Sequence, residues 1–195
     1  MVELKHDIKV SGDSVDIDIV FFREGSDFLR LEYKNLHFLN FNAPLKGEVD
    51  SMAYLNDNET PLYTLNVYGL GCNGLRTKLL SHSVTDDDTD EAFPGLFDFL
   101  NFVDYWVENK ELYKPHSIHE SNDSVGVLSK SNMYLDDTYL LSKNMRGETS
   151  IHIVVNDSHD VFGLTRKSVV IPELSDENLR EIVNIFMDAI LKICN

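Results

Sequence analysis

Alternating apolar and polar residues dominate the start of the chain. In residues 2–10 the even positions are mostly apolar and the odd positions are mostly charged, which is the period of a strand with one buried face. Turn-forming residues at 11–14 and 25–27 precede two further alternating runs. The pattern predicts three consecutive antiparallel strands joined by short turns, and opposite charges on their outer face would favour this register.

Shorter alternating or apolar runs follow in the rest of the chain. Residues 35–42 have apolar side chains at both parities, which indicates either a strand buried on both faces or irregular structure. Other segments have strand-like composition between turn residues. These strands are predicted over residues 62–68, 75–80, 125–130, 138–143, 150–156 and 161–171.

Two segments have the period of a helix instead. Apolar residues recur on one helical face between residues 96 and 113, and Pro94 stands where a first-turn proline is tolerated. Near the C-terminus, Ser175 is a good N-cap, and Asp176 and Glu177 suit the positive end of the helix dipole. A wide apolar stripe then predicts a helix over 176–193 that packs on a sheet.

Consecutive strands with appended helices are typical of the α+β class. We expect a mainly antiparallel, meander-like sheet of about eight strands, because no regular βαβ alternation occurs. No long low-complexity linker divides the 195 residues, and this length is within the range of one domain. The sequence therefore predicts a single α+β domain over residues 1–195.

The composition predicts a folded cytoplasmic protein. Apolar residues make up 43% of the chain and charged residues 26%, which is typical of a globular protein. Cys72 and Cys194 are the only cysteines, and the start of the chain lacks the pattern of a secretory signal. We expect no membrane insertion, because no apolar run reaches the ~18 residues that a spanning helix requires.

The net charge indicates which partners to expect. Seventeen Lys and Arg residues stand against 33 Asp and Glu residues, which gives a formal net charge of −16. Phosphate backbones and anionic membrane surfaces repel such a chain, so we expect no direct binding of nucleic acid. The electrostatic partner to expect is a basic protein surface.

The negative charge is concentrated in one segment. Residues 79–109 contain eight acidic residues and no Lys or Arg, so they carry half of the net charge. Solubility does not require this concentration, because dispersed charge would serve as well. Charge and aromatic residues alternate there as they do at protein interfaces. The predicted partner-binding residues are Asp86, Asp87, Asp88, Asp90, Glu91, Phe97, Asp98, Asp104, Tyr105 and Glu108.

A simpler interpretation explains the same residues without a partner. Acidic residues near a helix N-terminus are stabilising in their own right. Asp98, Asp104 and Glu108, together with Asn101, recur at three- and four-residue steps, and such a stripe is also typical of an ordinary solvated helix face. Both interpretations remain open from the sequence.

Motifs for catalysis, metals and cofactors are missing from the sequence. His116, His119 and Glu120 have the wrong order and spacing for a zinc-binding helix, and residues 156–160 are equally typical of a hairpin turn. Counted from Asp86, the acidic run lacks the glycine and glutamate of a calcium-binding loop. The glycines of residues 69–74 lack the spacing of a nucleotide-binding loop. We predict no catalytic residue, metal site or cofactor.

These observations favour a non-catalytic interaction protein. Its partner would be a basic, nucleic-acid-handling protein such as a nuclease, and the chain would act as an immunity or anti-defence inhibitor in place of phosphates. One alternative is a structural or assembly protein, or a secretion chaperone, that acts as a homo-oligomer. Another is a hydrolase with a dispersed site around His116, His119 or His159. The sequence leaves the oligomeric state open.

Overall fold

A computed structural model describes most of the strands and both helices of the chain. It describes residues 1–38, 61–70, 75–84, 95–108, 133–134, 139–143, 148–157 and 165–194. Within these ranges the chain is mainly antiparallel sheet with two helices, which confirms the predicted α+β class. The predicted strand at 125–130 lies outside the described residues.

The first sheet is a meander of five strands. Each strand pairs antiparallel with the next one in the sequence, in the order β1-β2-β3-β4-β5. Tight turns join β1 to β2 and β2 to β3, and a tight turn can join only antiparallel neighbours. The connection from β3 to β4 is longer and spans residues 39–60. The strands are β1 (Val2–Ser11), β2 (Ser14–Arg23), β3 (Ser26–Phe38), β4 (Pro61–Leu70) and β5 (Arg76–Val84).

Two-residue turns determine the register of the first three strands. Gly12 has a φ of 66° in the turn between β1 and β2, as the first central position of a type II′ turn requires. In the next turn both Glu24 and Gly25 have positive φ, as in a type I′ turn. These turn types match the twist of the strands, so the alternating residues of β2 and β3 meet with their apolar faces aligned.

Strand β3 continues four residues beyond the predicted alternating run. The register shifts between Lys34 and His37, where Asn35 has a φ of 53°. This irregularity exchanges the two faces, so the buried side chains are at odd positions up to Tyr33 and then at Leu36. The change of parity within one strand explains why the sequence pattern at residues 35–38 was ambiguous.

The second sheet is smaller and is also antiparallel. Its four strands pair in the order β6-β7-β8-β9. The short strand β6 was not predicted, whereas the other three overlap predicted strands. The strands are β6 (Met133–Tyr134), β7 (Tyr139–Lys143), β8 (Thr149–Asp157) and β9 (Thr165–Leu174).

Both predicted helices form. Helix α1 (Gly95–Glu108) begins one residue before the predicted segment, and residues 109–113 lie outside the described residues. Helix α2 (Asp176–Cys194) follows β9 directly. Its N-cap Ser175 accepts a hydrogen bond from the backbone N–H of Asn178, and the side chain of Asn178 accepts one from the N–H of Ser175. This reciprocal arrangement satisfies backbone donors at the start of the helix.

One cluster of buried apolar side chains joins the two sheets and the two helices. Helix α2 packs on β1 and β2, and helix α1 packs on α2 and β7. Tyr33 of β3, Tyr139 of β7 and Phe186 of α2 are among its largest fully buried side chains. Among the described helices, none is long and apolar enough to cross a membrane.

Candidate functional site

The predicted partner-binding residues divide into two groups. Phe97, Asp98, Asp104, Tyr105 and Glu108 all belong to helix α1. The side chain of Glu108 is exposed to solvent at the last residue of the helix. The other five lie outside the described residues: Asp86, Asp87, Asp88, Asp90 and Glu91.

Helix α1 buries the apolar face that its sequence pattern predicts. The buried residues recur at three- and four-residue steps, as one face of a helix requires. By the helical period of 3.6 residues, positions 98, 104, 105 and 108 fall on the arc away from this face. The buried side chains are Leu96, Phe99, Leu100, Val103, Trp106 and Val107.

Two contacts hold helix α1 against the second sheet. The indole Nε1 of Trp106 donates a hydrogen bond of 3.0 Å to Oγ1 of Thr149 on β8. The ring of Phe99 stacks on Tyr139 of β7, with 4.7 Å between the ring centroids. Both Trp106 and Thr149 are buried, so breaking this bond would leave a polar group without water. These contacts seat the buried face of helix α1 on the second sheet.

Two basic residues of the first sheet, Arg30 and Lys34, pair with carboxylates of the same sheet. The guanidinium of Arg30 donates to Asp18 on the neighbouring strand, with 2.7 Å between Nε and Oδ1, and its other arm reaches Glu32. The ammonium of Lys34 lies 2.9 Å from Asp16. Arg30 and Lys34 thus share three carboxylates on the outer face of β2 and β3. These pairs join the opposite charges that the sequence analysis expected on the outer face of the first strands.

Ionisation of these groups reflects the same pairing. The hydrogen bond to Asp18 raises the pKa of the Arg30 guanidinium above its ordinary value. The hydrogen bond to Asp16 likewise raises the pKa of Lys34. Burial opposes ionisation of Asp16, but the backbone N–H of Asn35 and the Lys34 ammonium outweigh it and lower the pKa of this carboxyl. The outer face of β2 and β3 is a network of mutually stabilised charges.

Three further ion pairs use basic residues of the first sheet. They are Lys9 with Asp7, Arg23 with Glu173, and Arg76 with Asp27. The carboxylates that these bases and the Arg30 and Lys34 pairs contact all lie outside residues 79–109. Five basic residues of the first sheet are thereby engaged away from the acidic segment.

Within the described ranges, one serine and one histidine lie together in a pair of the kind that hydrolases use. Oγ of Ser142 on β7 and Nε2 of His152 on β8 are 2.7 Å apart. Burial lowers the pKa of His152, so its imidazole is neutral at pH 7. A neutral imidazole can accept a serine proton, but a nucleophilic serine also needs oriented donors for the oxyanion. The described contacts of this pair include the imidazole that would accept the proton, but they include no donor for the oxyanion.

The histidines of the sequence-based alternatives are placed elsewhere. His116, His119 and His159 lie outside the described residues. Among the residues with described placement, no group of three or more His, Cys, Asp and Glu side chains could hold a metal ion. The sequence analysis missed the Ser142–His152 contact, because strand pairing between β7 and β8, and not sequence spacing, brings the two residues together.

The chain was also compared with known proteins. Comparison with protein-family models, with curated proteins and with solved structures gives no match.

Proposed function

We propose that this protein is a non-catalytic interaction module that binds a basic protein through its acidic segment, residues 79–109. The segment carries eight acidic residues and no base of its own. One observation supports the proposal most: five of the seven Lys and Arg residues in the strands of the first sheet are engaged with carboxylates outside this segment. These five bases therefore do not neutralise the segment, and we expect its negative charge to be available to an external cation.

Helix α1 supports this function because it carries acidic residues on a helix whose apolar face is packed in the core. Its buried face is anchored through Trp106 and Phe99, so its other arc needs no large rearrangement on binding. Binding by a preformed surface avoids part of the entropy cost of ordering an interface. Complementary charge would speed encounter and select positively charged partners.

A nucleic-acid-handling protein is the partner class that fits best. Such proteins carry Lys- and Arg-rich surfaces that bind phosphates, and a chain of net charge −16 would compete for those surfaces. The protein would act as an immunity or anti-defence inhibitor of a nuclease or a related enzyme. This function would operate in the cytoplasm.

Affinity capture from cells of the native host tests the proposal, with the captured proteins identified by mass spectrometry. The test variant combines Asp86→Asn, Asp98→Asn, Asp104→Asn and Glu108→Gln. The matched control neutralises four acidic residues that are exposed elsewhere: Asp13→Asn, Glu24→Gln, Glu177→Gln and Asp188→Asn. Both variants change the net charge equally, so they separate a local surface from overall charge.

We expect the wild type and the control variant to capture the same basic partner protein. The test variant should bind that partner at least tenfold more weakly and with a smaller dependence on salt concentration. Equal affinity of the test variant and the wild type would show that the acidic segment is not the binding surface.

A homo-oligomeric assembly protein is the second candidate function. It is favoured by strand β1, which is an edge of the first sheet and exposes most of its residues. Light scattering on the purified protein tests this function, because a monomer at working concentration would contradict it and would leave the acidic interaction module unaffected.

A further inference from the structure

Strand β1 forms an edge of the five-stranded sheet in the part of the chain that the structure describes. It is ten residues long, and seven of those residues are exposed to solvent. Such an edge presents backbone N–H and C=O groups that can pair with another strand. Its exposed length is sufficient for a continuous ladder, because strands of five or six residues are typical of sheets.

The tight turn between β1 and β2 determines which backbone groups point to the free edge. The two-residue turn closes on the pair Ser11 and Ser14, and in such hairpins the closing pair exchanges backbone hydrogen bonds. Backbone hydrogen bonding alternates along antiparallel strands. The N–H and C=O groups of the odd residues of β1 therefore bond to β2, and those of the even residues point to the free edge. The carbonyl of Val2, an even position, indeed accepts a bond from the side chain of Asn178.

The charges of β1 match a second, antiparallel copy of the same strand. With His6 opposite His6 of the second copy, Glu3 stands opposite Lys9 and Lys5 stands opposite Asp7. Each opposite-charge pair occurs twice by symmetry. These odd positions would form the non-hydrogen-bonded pairs of the new ladder, in which side chains approach more closely.

The apolar residues of β1 match in the same register. Leu4 meets Ile8 of the second copy, and both side chains pack partly against the core in each chain. Val2 stands opposite Val10 in this register, but Val2 is buried and its carbonyl already accepts a hydrogen bond from Asn178, so the ladder is expected over residues 3–9. The ladder would therefore align charged with charged and apolar with apolar residues on consistent faces.

The two neighbouring registers that keep the same faces aligned are unfavourable. A shift of two residues in one direction places Lys5 opposite Lys5 and Glu3 opposite Asp7. The opposite shift places Asp7 opposite Asp7 and Lys5 opposite Lys9. Like charges directly opposite each other destabilise a strand pair, and a shift of one residue would exchange the two faces.

We propose that two copies of this protein form a symmetric dimer by antiparallel pairing of β1 with β1 about His6. The two five-stranded sheets would then join into one continuous sheet of ten strands. Charged residues on an edge strand also serve to prevent association, but a strand protected in that way needs no self-matching order of signs. The internal pair of Lys9 and Asp7 does not compete strongly, because both side chains are largely exposed. The dimer is independent of the acidic segment, so its failure would leave the acidic interaction module in place.

Charge exchange on the full chain tests the dimer. The wild type should have twice the chain mass of 22.3 kDa by light scattering. Lys5→Glu with Lys9→Glu makes all four charged positions of β1 acidic, whereas Glu3→Lys with Asp7→Lys makes them all basic. Each variant alone should be at least tenfold weaker in self-association, and an equimolar mixture should form the mixed dimer, seen by native mass spectrometry.

A matched control changes two bases far from β1 in the sequence, through Arg180→Glu with Lys192→Glu, at exposed positions of α2. It alters the net charge as much as the acidic β1 variant and should remain dimeric. A monomeric wild type would overturn the proposal. So would dimers of either charge variant at wild-type affinity, or two folded variants that do not associate when mixed.

Disulfide cross-linking tests the register even if a charge variant fails to fold. In a background with Cys72→Ser and Cys194→Ser, His6→Cys places the two thiols opposite each other on the symmetry axis, where Cα atoms of a bonded pair lie ~5.5 Å apart. Mild oxidation should link this variant into a covalent dimer. Leu4→Cys is the control, because its nearest counterpart is Ile8 and not itself. Absence of a cross-link at position 6, or equal cross-linking at position 4, would overturn the register.

Discussion

The hydroxyl oxygens of Tyr33 and Tyr139 lie 3.1 Å apart, although 106 positions separate the two residues in the sequence. Tyr33 belongs to the first sheet and Tyr139 to the second, and both side chains are buried. The hydroxyl of Tyr63 is 3.5 Å from that of Tyr139. The ring of Phe186 meets Tyr33 edge-on from helix α2. Tyrosines are therefore the polar connection between the two sheets at the centre of the core.

A double-mutant cycle should detect coupling between these two tyrosines. Tyr33→Phe and Tyr139→Phe each remove one hydroxyl from a buried hydrogen bond, and each should lower the free energy of unfolding by about 1–2 kcal/mol. The double variant should lose less than the sum of the two single losses, by at least about 0.5 kcal/mol. Chemical denaturation measures all four proteins, and strictly additive losses would contradict the bond.

High pH should unfold the protein through the same tyrosines. Burial raises the pKa of Tyr33 and the pKa of Tyr139 above the ordinary value. In the unfolded chain a tyrosine ionises near pH ~10, so the stability that each group contributes is complete below that pH and is lost as the pH rises above it. Ultraviolet titration should show fewer than the eight tyrosines ionising before unfolding. The double Phe variant should lose stability less steeply, and an identical slope would contradict the assignment.

Removal of Arg30 should destabilise the outer face of the first sheet. Arg30→Met keeps the aliphatic stem but leaves Asp18 and Glu32 without their guanidinium partner, and the Glu32 side chain is only 15% exposed. We expect a loss of about 1–3 kcal/mol in the free energy of unfolding.

Lys9→Met is the matched control for this network. Lys9 and Asp7 are 73% and 60% exposed, so their pair should contribute less than about 1 kcal/mol. Thermal or chemical denaturation compares the two variants. Equal losses would show that the Arg30 network adds nothing beyond an ordinary surface pair.

Mild acid should weaken the fold through His152. Burial lowers the pKa of this imidazole, so the group contributes stability above the unfolded pKa of about 6.5, and that contribution is lost as the pH falls toward the folded pKa. His152→Gln should therefore show a smaller decrease in stability between about pH 7.5 and pH 5. Ser142→Ala keeps the histidine and should retain the decrease. A wild-type pH profile in His152→Gln would contradict this role.

Local patterns predicted most of the secondary structure, because each element satisfies its own period. Alternation predicted β1 and β2 closely, and the N-cap at Ser175 marked the start of α2 to the residue. The exception in β3 is instructive: the bulge near Asn35 exchanges the faces of the strand, and a fixed period cannot follow such a change.

The candidate site was less accessible to sequence reasoning. The sequence located the acidic segment and predicted that Asp98, Asp104 and Glu108 lie on a helix, since charge counts and helical spacing are local properties. The partners of Arg30 and Lys34 and the contact of Ser142 with His152 depend on strand register. The self-matching order of charges in β1 is visible in the sequence, but it has meaning only once the strand is known to be an edge.

The sequence by itself determined the classes of element, the alternation of faces, the turns between the first strands and the excess of negative charge, because these depend on neighbours in the chain. Tertiary structure alone decided that tyrosines of two sheets meet in one core, that Arg30 and Lys34 pair with carboxylates of neighbouring strands, and that β1 is an edge strand among the described residues. Those features join residues far apart in the chain, and their contacts follow from how the sheets and helices pack together.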